Sequence, residues 1–291
     1  MHVSPFHDPA TGTVTYVVSD PQTGDAVVID PVLDFDARAV AVHHTSVNRV
    51  CDHIDSHGLT LHAVIETHAH ADHLSASQVL KTRYGAAIAA SEHIAGVQEI
   101  FAEILGLGDN APRGGVPFDH LLKHNHDFDA GSLSFRVIHT PGHTPACICL
   151  AIEDAVFTGD ALFMPDFGTG RCDFPQGSAE ALYDSVVDRL YTLPDETRVF
   201  VGHDYGPGGR DIRWETTIGA SKRENKQLRA DTMRSEFVRW RTERDATLQP
   251  PALLFPSLHV NIFAGQLPAP DSNGRRYLRL PMDVFDTGNT D

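Results

Sequence analysis

The chain has 291 residues, 41% of them hydrophobic, and carries 39 acidic against 23 basic side chains for a formal charge of −16. That length and apolar fraction suit one globular domain, 1–250, with a C-terminal extension, 251–291, packed on it. So acidic a chain repels polyanions at long range, which speaks against nucleic acid and anionic membranes, and an anionic small molecule would need a local cation.

Met1 to His7 has neither the charged nor the apolar part of a signal peptide, and no later run approaches a membrane span. Cys51, Cys147, Cys149 and Cys172 form no CxxC, and positions 147 and 149 would project to the same side of one strand, a poor geometry for a bridge. Reduced thiols and a cytoplasmic location are therefore expected. Thr13 to Ser19 alternates around Val14, Tyr16 and Val18, Asp20 to Gly24 is turn chemistry, and Ala26 to Ile29 is a second strand, so the chain opens on a hairpin. Asp34 or Asp36 is placed to cap a helix whose face carries Val47, Val50 and Ile54. His43, His44, His53 and His57, on or near that helix, read as solvated or locally packed.

Leu61 to Thr67 has the length and β-branched content of a buried strand, and Leu74 to Tyr84 reads as a helix. Between them stands His68-Ala69-His70-Ala71-Asp72-His73, on the kind of strand-to-helix loop where α/β proteins build their sites. Some clustering is expected among 18 histidines, but this string at the end of a buried strand is a metal-site signature. Imidazole and carboxylate suit Zn, Fe or Mn, and the lack of cysteine disfavours a closed structural zinc site, so an open coordination position is expected.

Ala86 to Ala90 reads as a strand and Glu92 to Leu105 as a helix; the Gly-, Pro-, His- and Asp-rich stretch 106–129 reads as a long loop. Its His120, His124 and His126 are assigned to a mobile polar segment near the mouth of the site. Strands come next at Leu133 to Ile138, Ala146 to Ile152 and Ala155 to Phe157. In His139-Thr140-Pro141-Gly142-His143-Thr144 the Pro-Gly turn throws the next side chain outward, which makes His143 the better ligand and His139 structural. Asp160, after Thr158-Gly159, could cap a helix, but beside the other loops it reads as a ligand. Ser178 caps a helix through Leu190, and the strand Thr197 to Val201 ends in Gly202-His203-Asp204-Tyr205. From Ile212 the chain reads as helical, with Met233, Phe237 and Trp240 on one packed face. The tail after Pro250, with Phe255, Leu258, Val260, Ile262 and Phe263, packs on the body, and no internal repeat is present.

Taken together, His68, His70, Asp72, His73, His143, Asp160 and His203 resemble the metallo-β-lactamase superfamily, over a stretch from Val14 to the helix containing Asn225. The resemblance implies an α+β fold, a four-layer αβ/βα sandwich of two mixed sheets with helices outside and the site at one edge. Glyoxalase II and similar hydrolases in this superfamily use the whole set for two metals, Zn or mixed Zn/Fe, that activate water against a thioester. Its persulfide (sulfur) dioxygenases bind one iron with two His and one Asp. Carried over by motif position, that implies one Fe(II) per chain on His68, His143 and Asp160. His70, Asp72, His73 and His203 would then orient the ligands and hold water, or in the hydrolase case bind the second metal.

Three stretches are more similar to the dioxygenases: the hairpin from Gly12 to Val32, Gly170-Arg171-Cys172-Asp173-Phe174 beside their Gly-Arg-Thr-Asp-Phe, and His203-Asp204-Tyr205. By that resemblance Arg171 and Tyr205 would contact glutathione with Thr144 beside them, the substrates would be glutathione persulfide and O2, and a homodimer is an allowed assembly. Cys172 stands where Thr is usual, Thr169 where Cys is usual, and the segment 96–126 is longer than in compact members. A metal-binding protein of this fold without turnover is the third reading, and no degraded ligand position speaks for it.

Overall fold

The computed structural model describes residues 1–284. In chain order the first half lays down strands β1 (His2–His7), β2 (Val14–Ser19), β3 (Asp25–Ile29), β4 (Val32–Asp36) and β5 (Ala41–His43), helix α1 (Thr45–Ser56), strands β6 (Thr60–Ile65) and β7 (Leu74–Ser75), helix α2 (Ser77–Tyr84), strand β8 (Ala87–Ser91), helix α3 (Ile94–Ile104) and strand β9 (His120–Leu122). The second half adds β10 (Asp127–Ala130), β11 (Leu133–His139), β12 (Ile148–Ile152), β13 (Ala155–Phe157), α4 (Ala179–Ser185) running into a π-helical turn, β14 (Arg198–Phe200), β15 (Glu215–Thr217), α5 (Ile218–Glu224), α6 (Arg234–Asp245) and α7 (Leu254–Asn261).

One sheet has the order β1-β2-β3-β6-β8-β9 and the other runs β10 to β15 in sequence, with a small sheet β5-β4-β7 beside them. The first sheet is antiparallel from β1 to β3 and parallel from β3 to β9; the second is antiparallel except between β13 and β14. Period two sorts the strand residues between faces. Val14, Tyr16, Val18, Val27, Ile29 and Ile65 meet Phe135, Val137, Leu150, Phe157 and Phe200 between the sheets. Val17, Val28 and Val64 instead pack with Val47, Val50, Ile54 and Leu80 of α1 and α2, and Cys149, Val156 and Val199 pack with Leu182, Val186 and Phe237 of the second half. Helix, sheet, sheet, helix is the expected layering, and it leaves the carboxyl ends of β6 and β13 side by side at one edge. At the centre Tyr16 stands edge-on to Phe157 (5.2 Å) and Phe200 (5.5 Å), and its hydroxyl donates to the Val201 carbonyl at 2.6 Å.

Several expectations are revised. The opening hairpin gains a third strand, β1, paired with β2. Asp34 does serve α1, but from a strand: its carboxylate accepts from the Ser46 amide (2.9 Å) and hydroxyl (2.7 Å), whereas Asp36 closes a turn through the Arg38 and Ala39 amides. The stretch 106–129 is not a structureless loop. It contains β9, which extends the first sheet, and the start of β10, which opens the second. His120 lies in β9 with its ring 5.4 Å from Phe128, and His124 Nδ1 accepts from the His139 amide at 3.1 Å.

The chain after Ile212 is not one helix either, because Glu215–Thr217 pairs with β14 before α5 begins. Nor is Met233-Phe237-Trp240 a packed stripe: Met233 is 68% exposed and Trp240 37%, and the buried face is Phe237, Arg241 and Asp245. A paired Arg and Asp can be buried on a helix face only because each neutralises the other. Of the tail expected to pack on the body, Leu254, Leu258 and Ile262 lie against Ile94, Val97 and Phe101 of α3, and residues 285–291 lie outside the described residues.

All four cysteines are free and buried, and burial pushes the Cys147 and Cys149 thiols up to about 12. Among the described residues no helix is long and apolar enough to cross a membrane.

The buried face of α6 yields a paired expectation for urea unfolding. Phe237→Ala should cost about 3–5 kcal/mol, and Met233→Ala should stay within about 0.5 kcal/mol. A comparable loss at both positions would contradict this face assignment.

Candidate metal centre

The histidine loop begins where three backbone segments are tied together. Thr67, two residues past β6, donates its amide and its hydroxyl to the Asp30 carboxylate at the end of β3, each at 2.7 Å, and its carbonyl accepts from the Ile148 amide of β12 at 2.9 Å. Gly159, after β13, has φ +47° and lies so close that an added Cβ would sit 2.6 Å from Thr67 Oγ1. Only glycine combines that conformation with that approach, and the next residue is Asp160. The Gly202 amide donates to the Gly159 carbonyl at 3.1 Å, which brings His203 in beside it. On the other flank the Pro141-Gly142 turn is held against α4 by Ser185 Oγ on the Pro141 carbonyl (2.7 Å) and the Ser178 amide on the Gly142 carbonyl (2.8 Å), and His143 is the next residue.

These loops bring all seven sequence-derived residues together. Ligand atoms of His68, His143 and Asp160 lie within 4.8 Å of one another, and so do those of His70, Asp72 and His73. The groups adjoin through ring contacts, His68 to His70 at 4.0 Å and His68 to His143 at 5.0 Å. His203 spans them, its Nδ1 2.7 Å from Asp160 Oδ1 and its Nε2 2.9 Å from Asp72 Oδ2. His143 donates Nδ1–H to the Arg171 carbonyl at 2.6 Å, which leaves Nε2 with its lone pair on the side of Asp160 Oδ2, 3.5 Å away.

Three more residues belong here that sequence reasoning does not single out. The Thr13 hydroxyl touches Asp72 (3.1 Å), His73 (3.3 Å) and His203 (3.0 Å). Asp30 and Glu66 flank His70, with Nε2 at 3.0 Å from Asp30 Oδ1 and 3.4 Å from Glu66 Oε2, while the Ser75 and Ser77 hydroxyls donate to the Glu66 carboxylate. The Asp30-Pro31 pair is visible in the sequence as a strand end; nothing local marks it as a support for the histidine loop.

The donor set fits a divalent transition ion. Among the described residues His68 Nε2, His70 Nδ1 and His73 Nε2 are buried without a hydrogen-bond partner, while His70 Nε2 faces the Asp30 and Glu66 carboxylates. Each such orphan costs roughly 1–3 kcal/mol, which a cation accepting their lone pairs would offset. Protonation states at Asp160, Asp72 and His68 suit that role, whereas at His70 burial works to lower the imidazole but the Asp30 and Glu66 carboxylates outweigh it and hold it well above its usual range. Burial works to raise Asp160, but the His203, His143 and His68 imidazoles outweigh it and hold the carboxyl well below the usual range; His203 and His73 do the same for Asp72. Burial and then the neighbouring His70 push His68 down, so it stays neutral at physiological pH.

A cleft of about 720 Å³ opens onto His143 between Arg171, Asp173, Phe174 and Leu254. A second, of about 520 Å³, reaches Asp72 and His73 from the other side, and Pro251 lines both. Arg171 is thus at the cleft wall, but its fork is engaged: Nε and Nη2 donate to the Asp173 carboxylate and Nη1 donates to the Gln249 carbonyl at 2.8 Å. Tyr205 is 51% exposed and stacks on His203 with centroids 5.7 Å apart. Thr144, expected beside the substrate, is fully buried, its hydroxyl engaging Cys147 Sγ (3.1 Å) and the Ala146 amide (3.2 Å) within its own turn. His139 stays outside the group, stacked on His93 with Nε2 donating to the Pro145 carbonyl.

Known proteins share both the sequence and the fold. The family model described as the metallo-beta-lactamase superfamily matches residues 8–203. The chain is 45% identical, over 98% of its length, to the beta-lactamase hydrolase-like protein of Xylella fastidiosa, and spans 65% of that protein. It is 42% identical to a probable metallo-hydrolase of Burkholderia pseudomallei, covering 98% of this chain and 100% of that one. It is 30% identical to the human mitochondrial persulfide dioxygenase ETHE1, over 68% of this chain and 66% of that protein. Among solved structures, ETHE1 from Myxococcus xanthus aligns with a TM-score of 0.74 at 34% identity, covering 91% of this chain and 100% of that chain. A chain solved in a di-iron-bound form aligns with a TM-score of 0.56 at 27% identity, covering 78% of this chain and 100% of that chain.

The close approach of Gly159 to Thr67 predicts that Gly159→Ala lowers stability by roughly 1–3 kcal/mol and reduces bound metal, because the strain falls between Thr67 and Asp160. Metal content and melting temperature are the readouts, and wild-type values for both would show that the two loops do not need this contact.

Proposed function

This chain belongs to the metallo-beta-lactamase superfamily, and we propose that its site serves an Fe(II)-dependent persulfide dioxygenase that converts glutathione persulfide to sulfite with O2. The carrying observation is the group of two imidazoles and one carboxylate, His68, His143 and Asp160, with His143 facing a cleft whose wall contains a guanidinium. The likeness to Myxococcus xanthus ETHE1 over that whole chain supports it. Ferrous iron held there would supply redox chemistry and room for a sulfur and O2 together.

The chain's own residues set the conditions for that reaction. The Arg171 carbonyl fixes the His143 ring through Nδ1, and His203 keeps Asp160 and Asp72 ionised. Phe174, Pro251 and Leu254 give the cleft apolar walls that limit water around the reacting sulfur. Arg171 offers its planar fork to a glutathione carboxylate, which must share it with Asp173. One O2 and one water then account for sulfite and the released glutathione thiol. The free, buried cysteines suit a reducing compartment, and we place the protein in the cytoplasm.

A second reading is a binuclear hydrolase in which His70, Asp72, His73 and His203 help hold two Zn, or Zn with Fe, and water attacks a thioester. The adjoining His70-Asp72-His73 group favours it, as do the relatives of higher identity that carry hydrolase names.

Oxygen uptake decides between the two. Fe(II)-loaded protein given glutathione persulfide should consume O2 and form sulfite, and His143→Ala should lose iron and uptake together; thioester hydrolysis without uptake by the iron-loaded chain would select the hydrolase. Arg171→Ala should raise KM for the glutathione-linked substrate about tenfold or more with kcat little changed, since it removes a charge-assisted contact made before and during the reaction. An unchanged KM would mean that the substrate carrier is not glutathione.

A further inference from the structure

The histidine loop is gripped from a part of the chain that lies beyond the matched family region, residues 8–203. Asn261, the last residue of α7, is 5% exposed. Its Nδ2 donates to the carbonyls of His70 and His73, both at 2.8 Å, and its Oδ1 accepts from the Ser75 amide at 2.8 Å. Both amide hydrogens and the amide oxygen are thereby used, all on main-chain groups of residues 70–75. Those residues make no regular structure before β7, so nothing periodic fixes the spacing of the imidazoles they carry. The support behind Asn261 is rigid: Leu258 and Ile262 are fully buried, and Gln98 of α3 donates to the Ile262 carbonyl at 2.9 Å.

We propose that Asn261 is a positioning residue of the metal centre, fixing the His70 and His73 carbonyls and so setting the affinity of the loop for a divalent transition ion. The role rests on the loop holding a metal and is independent of which reaction the site performs. A neutral amide suits it, because it presents two donors to two carbonyls without adding charge to a centre already rich in carboxylates. Asp at this position would keep the acceptor for the Ser75 amide and the side-chain volume but lose both donors, and Ala would remove all three bonds.

The test uses the full chain stripped of metal and titrated with Co(II) against a chelator, with the visible spectrum recorded and melting temperatures measured for apo and loaded protein. Asn261→Asp and Asn261→Ala should bind Co(II) at least about tenfold more weakly, as loss of a group that orients ligands does. They should also change its spectrum and narrow the gap between loaded and apo melting temperatures. Ser257→Ala, on the same helix and removing a buried hydroxyl that has no hydrogen-bond partner among the described residues, should leave affinity and spectrum at wild-type values. Wild-type affinity and spectrum in a folded Asn261→Asp protein, even with both melting temperatures lowered equally, would reduce Asn261 to a structural anchor and overturn the proposal. Failure of the wild-type chain itself to retain Co(II) would overturn the metal reading and this role with it, and is recognised from the wild type alone.

Discussion

The site depends first on the junction at Thr67. One residue ties the end of β3 through Asp30, the start of β12 through Ile148 and, by close approach, the turn after β13 through Gly159. It follows a strand of the first sheet and bonds to the second, so the two halves of the sandwich are registered at the point from which both His68 and Asp160 depart. The apolar filling between the sheets, with Tyr16, Phe157 and Phe200 at its centre, is not directional and would tolerate some sliding. The hydrogen bonds of Thr67 are directional, and they convert a hydrophobic sandwich into one defined arrangement of ligands.

Charge is the second constraint. Four carboxylates serve three adjoining groups, Asp30 and Glu66 with His70, Asp72 with His70 and His73, and Asp160 with His68 and His143, in a chain that is already strongly acidic, and buried carboxylates need something to offset them. His203, in contact with both Asp72 and Asp160, offsets part, and His70 sits between Asp30 and Glu66. The unpartnered imidazole nitrogens mark where the remaining compensation belongs. The residues that could hold a cation are thus the same ones whose buried carboxylates and unpartnered nitrogens favour one.

The sequence is informative wherever a residue's role is set within a few positions of itself. The His68 to His73 string is legible because a β-branched buried strand precedes it, His143 because a Pro-Gly turn does, and Asp160 and His203 because each comes after a short apolar run. Thr13, Glu66 and Asn261 are opaque for the opposite reason: their partners lie far along the chain or depend on a loop's path, and a lone Thr, Glu or Asn carries no spacing signal. β9 and β15, three residues each, are too short for period two to register, so one reads as part of a loop and the other as part of a helix. On α6 the apolar stripe misleads because Arg241 and Asp245 pair and go inside while Met233 and Trp240 stay out. At Thr144 motif position does not say which way the hydroxyl is spent, and the structure turns it onto Cys147 and the Ala146 amide.

The chain beyond residue 203 lines the cleft and grips the histidine loop. Asp245 of α6 accepts from the Cys172 amide at 2.7 Å, and the preceding residue, Arg171, gives its carbonyl to His143 and its side chain to the cleft wall. From there Gln249, Pro250 and Pro251 line the cleft before α7 begins, and α7 ends at Asn261 on the histidine loop. A single run of 17 residues, 245–261, therefore touches the loop carrying Arg171, the mouth of the cleft and the carbonyls behind His70 and His73. A packed interior transmits small displacements instead of absorbing them, so this one run gives the cleft wall and the histidine loop a common support. The segment that lines the cleft and the segment that holds the His70 and His73 carbonyls are thus one continuous run, and it lies outside residues 8–203, over which the family model matches.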